Sequence, residues 1–494
     1  MSDEWPIVRL GGYCSKIGSG ATPSGGSSVY IEQGEICLIR SQNIYNDGFK
    51  PDGLVFITED AANKLKNVIV QKNDILLNIT GDSVARVCLA REEFLPARVN
   101  QHVAIIRPNP NEFDPRYLRY FLASPAMQSF LLTIAAVGAT RSALTKVMIE
   151  TLEVSKPPIQ IQTAIADQLE SLDNKIHLNT QTNQTLEQIA QAIFKSWFVD
   201  FDPVKAKIAA LNSLSLGERA GVRARELAEL AAMSVISGKD EAQLEQLKIQ
   251  DADAYQQLEQ TAALFPAAMQ ESELGDIPEG WGVQSIGKQG KVITGKTPPQ
   301  SIQNSYADSG TPFITPTDIT GNVFVTKTNR CLTESGQASI KNTKIKSGSI
   351  CVTCIGSQMG KTTLSSKDSF ANQQINSIIV SDVIYRNYLL LNLRNRREEI
   401  FLIGSSGSTM PIINKSTFEK LSVLVPDQNI MKNFDRAIKP IINRILKNSI
   451  QNLTLIESRN SLLPKLLSGE IDLSDNALTL ALSQGERGLE SANG

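Results

Sequence analysis

Residues 354–364 read CIGSQMGKTTL and end in Gly360-Lys361-Thr362, the ending of a nucleotide-cradling phosphate loop. That chemistry needs G-x-x-x-x-G-K-[ST], so the first glycine should stand at 355; the chain has Ile355 there and glycine at 356. The loop is one residue too short to wrap its N–H groups round a β-phosphate. Cys351 and Cys354 form a C-x-x-C pair inside SICVTCIG, which reads as a strand. Side chains three apart in a strand point to opposite faces, which suits neither zinc nor thiol redox chemistry. The six cysteines read as small buried thiols. With only two histidines, His102 and His177, Ser–His or Cys–His catalysis and His-rich metal sites have almost no material. GSSGS (404–408) is not G-x-S-x-G, and GSGATPSGG (18–26) lacks the spacing of a G-x-G-x-x-G dinucleotide loop. The chain is expected to carry no catalytic residue, no metal and no cofactor of its own.

A chain of 494 residues has room for two or three domains, and 41% hydrophobic with 20% charged residues describes a globular protein. No run of eighteen apolar residues exists, so no membrane span is expected. MSDEWPIVRL carries two acids and no apolar stretch, which reads as no secretory signal and a cytoplasmic location. The net charge of −2 is unevenly spread. Residues 1–155 hold 15 Lys+Arg against 16 Asp+Glu, 201–275 hold 7 against 12, and 276–425 hold 16 against 10. A surplus of six positive charges in the last stretch fits nucleic-acid contact without requiring it.

The false phosphate loop has a second explanation, because the chain repeats itself. GSGATP (18–23) is matched by ITGKTP (293–298), and EWPIVRL (4–10) by GWGVQSI (280–286). NDILLNITGDSVARVCL (73–89) aligns with GSICVTCIGSQMGKTTL (348–364), placing Gly81 on Gly356 and Arg86 on Lys361. VNQHVAII (99–106) recurs as ANQQINSII (371–379), VGATR (137–141) as SGSTM (406–410), and LEVSKPP (152–158) as LSVLVPD (421–427). The shared element is a strand, a glycine turn with expected positive φ, and a basic residue five positions on. Arg86 and Lys361 would then emerge where a phosphate can be met, unless each is simply a solvated hairpin charge.

Each copy is followed by a long helical pattern. Apolar residues fall at Ile161, Ile165, Leu169, Leu172, Ile176, Leu186, Ile193 and Trp197, then at Phe434, Ile438, Ile441, Ile445, Leu455, Leu462 and Leu466. Such stripes predict coiled-coil-like packing of two helices of roughly 36 residues, or about 54 Å at 1.5 Å per residue. Pro440 is expected to kink the second. Asn179, Asn183, Asn448 and Asn452 interrupt the two stripes at matching places. In an antiparallel pair Asn179 would meet Asn452, Asn183 would meet Asn448, and Trp197 would meet Phe434, fixing register. Alternatively the stripe breaks there and the asparagines face water. Residues 201–275 read as acidic amphipathic helices, GERAGVRARELAELAAM and DEAQLEQLKIQDADAYQQLEQTAALF, without counterpart in the second half. The expected organisation is therefore a first globular domain (1–155), a long helix (156–200), a helical acidic linker (201–275), a second globular domain (276–425), a second long helix (426–471) and a frayed tail (472–494).

Two β-rich domains, each followed by one long helix, resemble the specificity subunit of type I restriction–modification systems. The resemblance rests on GSGATP, NDILLNITGD, VNQHVAIIRP, IFKSWFVDFDPV (193–204), SELGDIPEGW (272–281), GKTP, NQQINSII and LLPKLLSGEI (462–471). It spans residues 4 to 472, although the 205–265 insertion is longer than the family leads one to expect. It implies an α+β architecture: two mixed α/β target recognition domains separated by two long antiparallel helices, with a pseudo-two-fold internal repeat. Each domain would read half of a bipartite, asymmetric target in double-stranded DNA, and the helices would set the spacer. Two modification (methyltransferase) subunits would bind S-adenosylmethionine, and restriction (ATPase/endonuclease) subunits would use ATP and Mg²⁺. Neither N-P-P-[YF] nor G-x-G-x-x-G occurs in this chain. The other readings are a non-catalytic coiled-coil scaffold bearing two protein-binding modules, and a P-loop-like NTPase.

Arg pairs with guanine and Asn or Gln with adenine, so polar residues near the repeated turns are the candidates for DNA contact. They are Arg40, Ser41, Gln42 and Asn43 in LIRSQNI, with Asn100, Gln101 and Arg141, and in the second copy Thr315, Thr317 and Asp318 in FITPTDI, with Asn372, Gln373, Gln374 and Thr409. Arg86, Lys296 and Lys361 are expected on phosphates. Residues shared by both copies should serve the fold or the backbone, and divergent ones should read sequence.

Overall fold

The computed structural model describes residues 5–136, 142–214, 221–405, 411–471 and 473. Its contacts divide the chain into two units, Met1–Ile176 with Leu453–Gly494, and His177–Asn452. In the first unit, β1 (Cys14–Ser19), β2 (Ile75–Asn78), β3 (Val87–Leu89) and β4 (Val103–Pro108) form an antiparallel sheet in the order β3-β2-β4-β1. A second sheet of five short strands pairs Ile36–Ile39 in parallel with Ala97–Val99. Ile75 and Leu77 point into one cluster with Tyr117 and Leu118, while Leu76 points into another with Leu38 and Val99. The first three residues of β2 are all apolar because both of its faces are covered.

The second unit repeats the plan. In it β5 (Gly290–Thr294), β6 (Ile350–Thr353), β7 (Thr362–Ser365) and β8 (Ile375–Val380) order as β5-β8-β6-β7, with Phe324–Val325 added beside β7. Cys351 lies in one cluster and Cys354, just past the end of β6, in another. The pair is thus split between two cores. The Tyr117 hydroxyl donates to the Ser155 carbonyl at 3.0 Å, and the Tyr388 hydroxyl donates to that of Leu424 at 2.6 Å. In both copies a buried tyrosine ties the domain to the strand that leads into the long helix.

Those helices are α1 (Ile159–Phe198) and α2 (Gln428–Leu467), 40 residues each. Their ends are offset by the same number of positions, so the duplication extends through them. In the first unit Ile165 and Leu169 of α1 share a core with Leu463 and Leu466 of α2. In the second, Phe194 and Trp197 meet Phe434, with ring centroids 6.4 and 5.7 Å apart. Within the second unit contacts on α2 run from 452 back to 434 as those on α1 run from 179 to 197, which is antiparallel packing. Ile442 and Leu463 are more deeply buried than Ile441 and Leu462, which the heptad spacing selects. A 3.6-residue turn drifts against a strict 3.5 repeat, and the seam moves over by one position. Pro440 lies inside α2, which continues as one element on both sides of it.

The described residues between 202 and 263 include four helices, Asp202–Asn212, Val222–Ser237, Glu241–Gln250 and Ala252–Ala263. The sequence pattern reads the last two as one. Asp251 separates them: its φ of −149° is not helical, and its carboxylate caps the next helix by accepting from Ala254 N at 3.0 Å. Among the described residues no helix is long and apolar enough to cross a membrane. The tail, 472–494, lies outside the described residues apart from Leu473.

Candidate nucleic-acid interface

The two hairpins that carry Arg86 and Lys361 match bond for bond. Gly81 and Gly356 have φ of +77° and +83°, and their carbonyls accept from Val84 N and Met359 N, both at 3.0 Å. Ala85 N donates to Asn78 O and Gly360 N to Thr353 O, both at 2.8 Å. Thr362 opens strand β7, is buried, and donates its hydroxyl to Gly360 O at 3.1 Å. A phosphate loop instead ends in a helix whose free N–H groups and Ser/Thr hydroxyl meet nucleotide and Mg²⁺. A strand there closes the nucleotide-binding reading. Burial pushes both the Cys351 and Cys354 thiols up to about 12, which suits neither for a thiolate nucleophile at neutral pH. Among the described residues no group of three or more His, Cys, Asp or Glu could hold a metal ion.

Arg40–Asn43 and Thr315–Asp318 are equivalent 3-10 turns. Here the structure corrects the candidate set. Asn43 is fully buried; its Oδ1 accepts from Arg40 N at 3.1 Å, and its Nδ2 donates to Lys50 O and Asp52 O at 2.9 and 3.2 Å. Its amide is spent on backbone and has nothing left for adenine. Asp318 does the same work, accepting from Thr315 N at 2.8 Å and Asn329 N at 2.9 Å. Thr315 is likewise committed, donating its hydroxyl to Asp318 at 2.6 Å. Arg40 donates to Gly53 O and lies 5.7 Å over the Tyr30 ring, and Ser41 lends its carbonyl to Asn78 Nδ2. What each turn presents to solvent is one side chain, Gln42 and Thr317, and these differ between the copies.

Asn100 and Asn372 also serve the turn that each begins. Asn100 Oδ1 accepts from His102 N, and Asn372 Oδ1 from Gln374 N, both at 3.1 Å. Gln101 Oε1 accepts from Thr22 Oγ1, and Gln373 Oε1 from Thr297 Oγ1, both at 2.5 Å. Gln374 pairs with Asn372 Nδ2 at 3.0 Å, whereas the residue in its place in the first copy is His102, whose Nδ1 lies 2.5 Å from Thr80 Oγ1. Gln101 and Gln373 are exposed, whereas Gln374 and the two asparagines are not. Behind each turn a glycine runs against the backbone: a Cβ on Gly20 would lie 2.2 Å from Asn100 O, and one on Gly295 2.1 Å from Asn372 O. Lys296, exposed, stands next to that contact. Arg141 and Thr409 lie outside the described residues.

The four helix asparagines come together in two pairs inside the second unit. Asn179 Nδ2 donates to Asn452 Oδ1 and to Gln451 Oε1, each at 2.9 Å, and Asn448 Nδ2 donates to Asn183 Oδ1 at 2.9 Å. Asn179 and Asn448 are 3% and 2% exposed, so these side chains do not face water. Bonded to one another, they avoid the cost of an unpaired buried amide.

Several residues at the site have no sequence motif. Arg86 lies 4.7 Å over the Tyr45 ring and Lys50 Nζ 4.2 Å over the same ring, a cationic stack without counterpart among the described residues of the second copy. Tyr45 and Arg86 line a cavity of about 430 Å³ with Arg119 and Arg459. In the second unit a cavity of about 690 Å³ is lined by Ser357, Arg394 and Arg397 among others. Both cavities sit beside the matching hairpins, and arginines line them together with Asp47 in the first and Glu398 in the second. The 275-position offset of the sheets, applied along the helices before each long rod, would have exposed the pairing of Arg119 with Arg394.

Comparison with known proteins agrees on one family. The family model for the type I restriction modification DNA specificity domain matches residues 2–188 and 278–461. The type I restriction enzyme HindI specificity subunit of Haemophilus influenzae is 37% identical over 411 residues, covering 81% of this chain and 87% of that one. The MjaIX specificity subunit of Methanocaldococcus jannaschii is 23% identical over 481 residues, covering 96% and 94%. In fold, the chain is similar to the crystal structure of a type I restriction-modification system S subunit from M. genitalium, with a TM-score of 0.53 at 12% identity, covering 96% of this chain and 98% of that one.

Proposed function

Because the chain belongs to the specificity subunits of type I restriction–modification systems, we propose that its two recognition domains each read one half of a bipartite, asymmetric DNA sequence. The observation that carries this is the duplicated turn: Gly20, Thr22 and Gln101 in one domain, Gly295, Thr297 and Gln373 in the other, built by the same bonds with different residues exposed beside them. A shared frame with divergent tips can read two unlike half-sites in one way. Gln42, Arg86, Lys50 and Gln101 would face DNA from the first domain, and Thr317, Lys296, Lys361 and Gln373 from the second. The paired helices set the spacer, and the asparagine pairs hold their register. The internal repeat would let two identical modification subunits dock, in the manner of symmetric dimers. Restriction subunits then join that complex. S-adenosylmethionine, ATP and Mg²⁺ belong to those companions, and this chain is non-catalytic.

Titrating target DNA into the chain assembled with its modification subunits tests the reading. Affinity should fall steeply with salt, as counterion release requires, whereas a scaffold of protein-binding modules would ignore DNA. Lys361→Ala should weaken binding to all sequences alike and lower the slope of log K against log salt by about one. Nucleotide binding should be undetectable before and after.

A further inference from the structure

Arg119, in the helix Pro115–Ala123, and Arg394, in Ile384–Asn395, stand 275 positions apart. Each donates from Nη2 to the carbonyl that closes the loop after the 3-10 turn: Arg119 to Asn46 O, Arg394 to Gly321 O at 2.7 Å. Those two carbonyls are also 275 positions apart. Each arginine also reaches an acid on α1, Arg119 to Asp173 at 3.5 Å and Arg394 to Glu187. The hairpins are tied in as well, through the Asn46 side chain in the first copy and through Arg394 itself in the second. Asn46 Oδ1 accepts from Val87 N at 2.9 Å, next to Arg86, and Arg394 Nη1 donates to Thr362 O at 2.7 Å, next to Lys361.

We propose that Arg119 and Arg394 are positioning residues, each locking its domain's exposed loop and hairpin to the long helix α1, so that half-site readout depends on the helix as well as on the loop. This inference rests on the DNA-reading function proposed above. The side chains of Arg119 and Arg394 are 8% and 13% exposed, and their acids about a fifth to a quarter. The partly dry, charge-assisted fork of Arg394 holds geometry far better than surface ion pairs do, whereas Arg119 lies 3.5 Å from an Asp173 oxygen that also accepts from the Tyr120 hydroxyl at 2.7 Å. The link does not follow the internal repeat. On α2 the positions equivalent to Asp173 and Glu187 are Ile442 and Ile456, so α1 supplies both acids. In the first domain Arg459 of α2 joins instead as a second cation, 2.6 Å from Asp173. Two acids on one helix therefore serve the two half-sites separately.

The test maps methylated positions on DNA treated with the chain and its modification subunits. Arg394→Ala should lower methylation of full sites by about tenfold or more, the order expected for truncating one member of a buried pair. The surviving methylated sites should be relaxed in the half read by the second domain, with the other half and the spacer unchanged. Arg394→Lys, which retains the charge, should restore part of the loss. Glu187→Gln, which spares the carbonyl bonds, should relax the same half to a smaller extent, and Asp173→Asn the opposite half. Should Arg394→Ala not fold, Glu187→Gln decides the matter alone. Equal loss in both halves, or strict reading of both, would overturn the proposal. A wild-type complex that methylates no bipartite motif would instead overturn the DNA-reading function on which it stands.

Discussion

Gly295→Ala should weaken binding to DNA carrying the second half-site by about a hundredfold and leave binding to the first half-site unchanged. The cause is steric. A Cβ at 295 would sit 2.1 Å from Asn372 O, 2.3 Å from Ala371 O and 2.5 Å from the Ala371 carbonyl carbon. All three are backbone atoms, and none can swing aside as a long side chain can. The same backbone is bonded to the glycine segment, since Gly295 N donates to Ile375 O at 3.0 Å and Lys296 N to Ala371 O at 2.8 Å. Relief of the clash must therefore break the turn that places Gln373 and Lys296. Forced overpacking costs about 3 kcal/mol at its upper end, which as lost binding is roughly a hundredfold. Gly20→Ala should mirror the effect, since its Cβ would meet Asn100 O and Val99 O at 2.2 Å. Anisotropy titrations with DNA of each half-site measure both variants, and unchanged affinity in either would show that the backbone yields more readily than these distances allow.

Inserting four residues into α1, away from the asparagine pairs, should lengthen the DNA spacer while both half-site sequences stay the same. Four residues add one turn and about 6 Å at 1.5 Å per residue, or about two base pairs at 3.4 Å each. They also rotate the downstream part of the helix by about 40° beyond a full turn, which leaves most of an apolar stripe on its partner. Asn179–Asn452 and Asn183–Asn448 keep their bonds on one side of the insertion and hold the register there. Methylated sites recovered with the altered chain give the spacer directly. An altered half-site at the old spacing would mean that the helices do not act as the ruler.

Periodicity and repetition made much of this molecule legible in the sequence. The stripes placed α1 and α2, and the interruptions at Asn179, Asn183, Asn448 and Asn452 pointed to the contacts that the structure contains. These are regular features of helices, where spacing alone determines which side chains share a face. The exposed reading surface was less legible, because a polar residue in a turn can serve its own backbone or a ligand. Asn43 and Asp318 have residue types suited to base contact but are consumed by the 3-10 turns that they close. That alternative depends on whether the adjoining loop folds back to offer its carbonyls, which local sequence does not specify. Arg119 and Arg394 went unseen for the opposite reason. Their partners lie more than fifty positions away, at Asp173, Asn46, Glu187 and Gly321, and no motif links them.

The most direct test of two heads reading one split site is base-resolution mapping of methylated bases in DNA modified by the chain with its modification subunits. The account predicts a single asymmetric motif of two unlike halves separated by a fixed run of unspecified bases, with each half relaxed only by changes in its own domain. A continuous motif, or one whose two halves respond together to Gly20→Ala and Gly295→Ala, would contradict it.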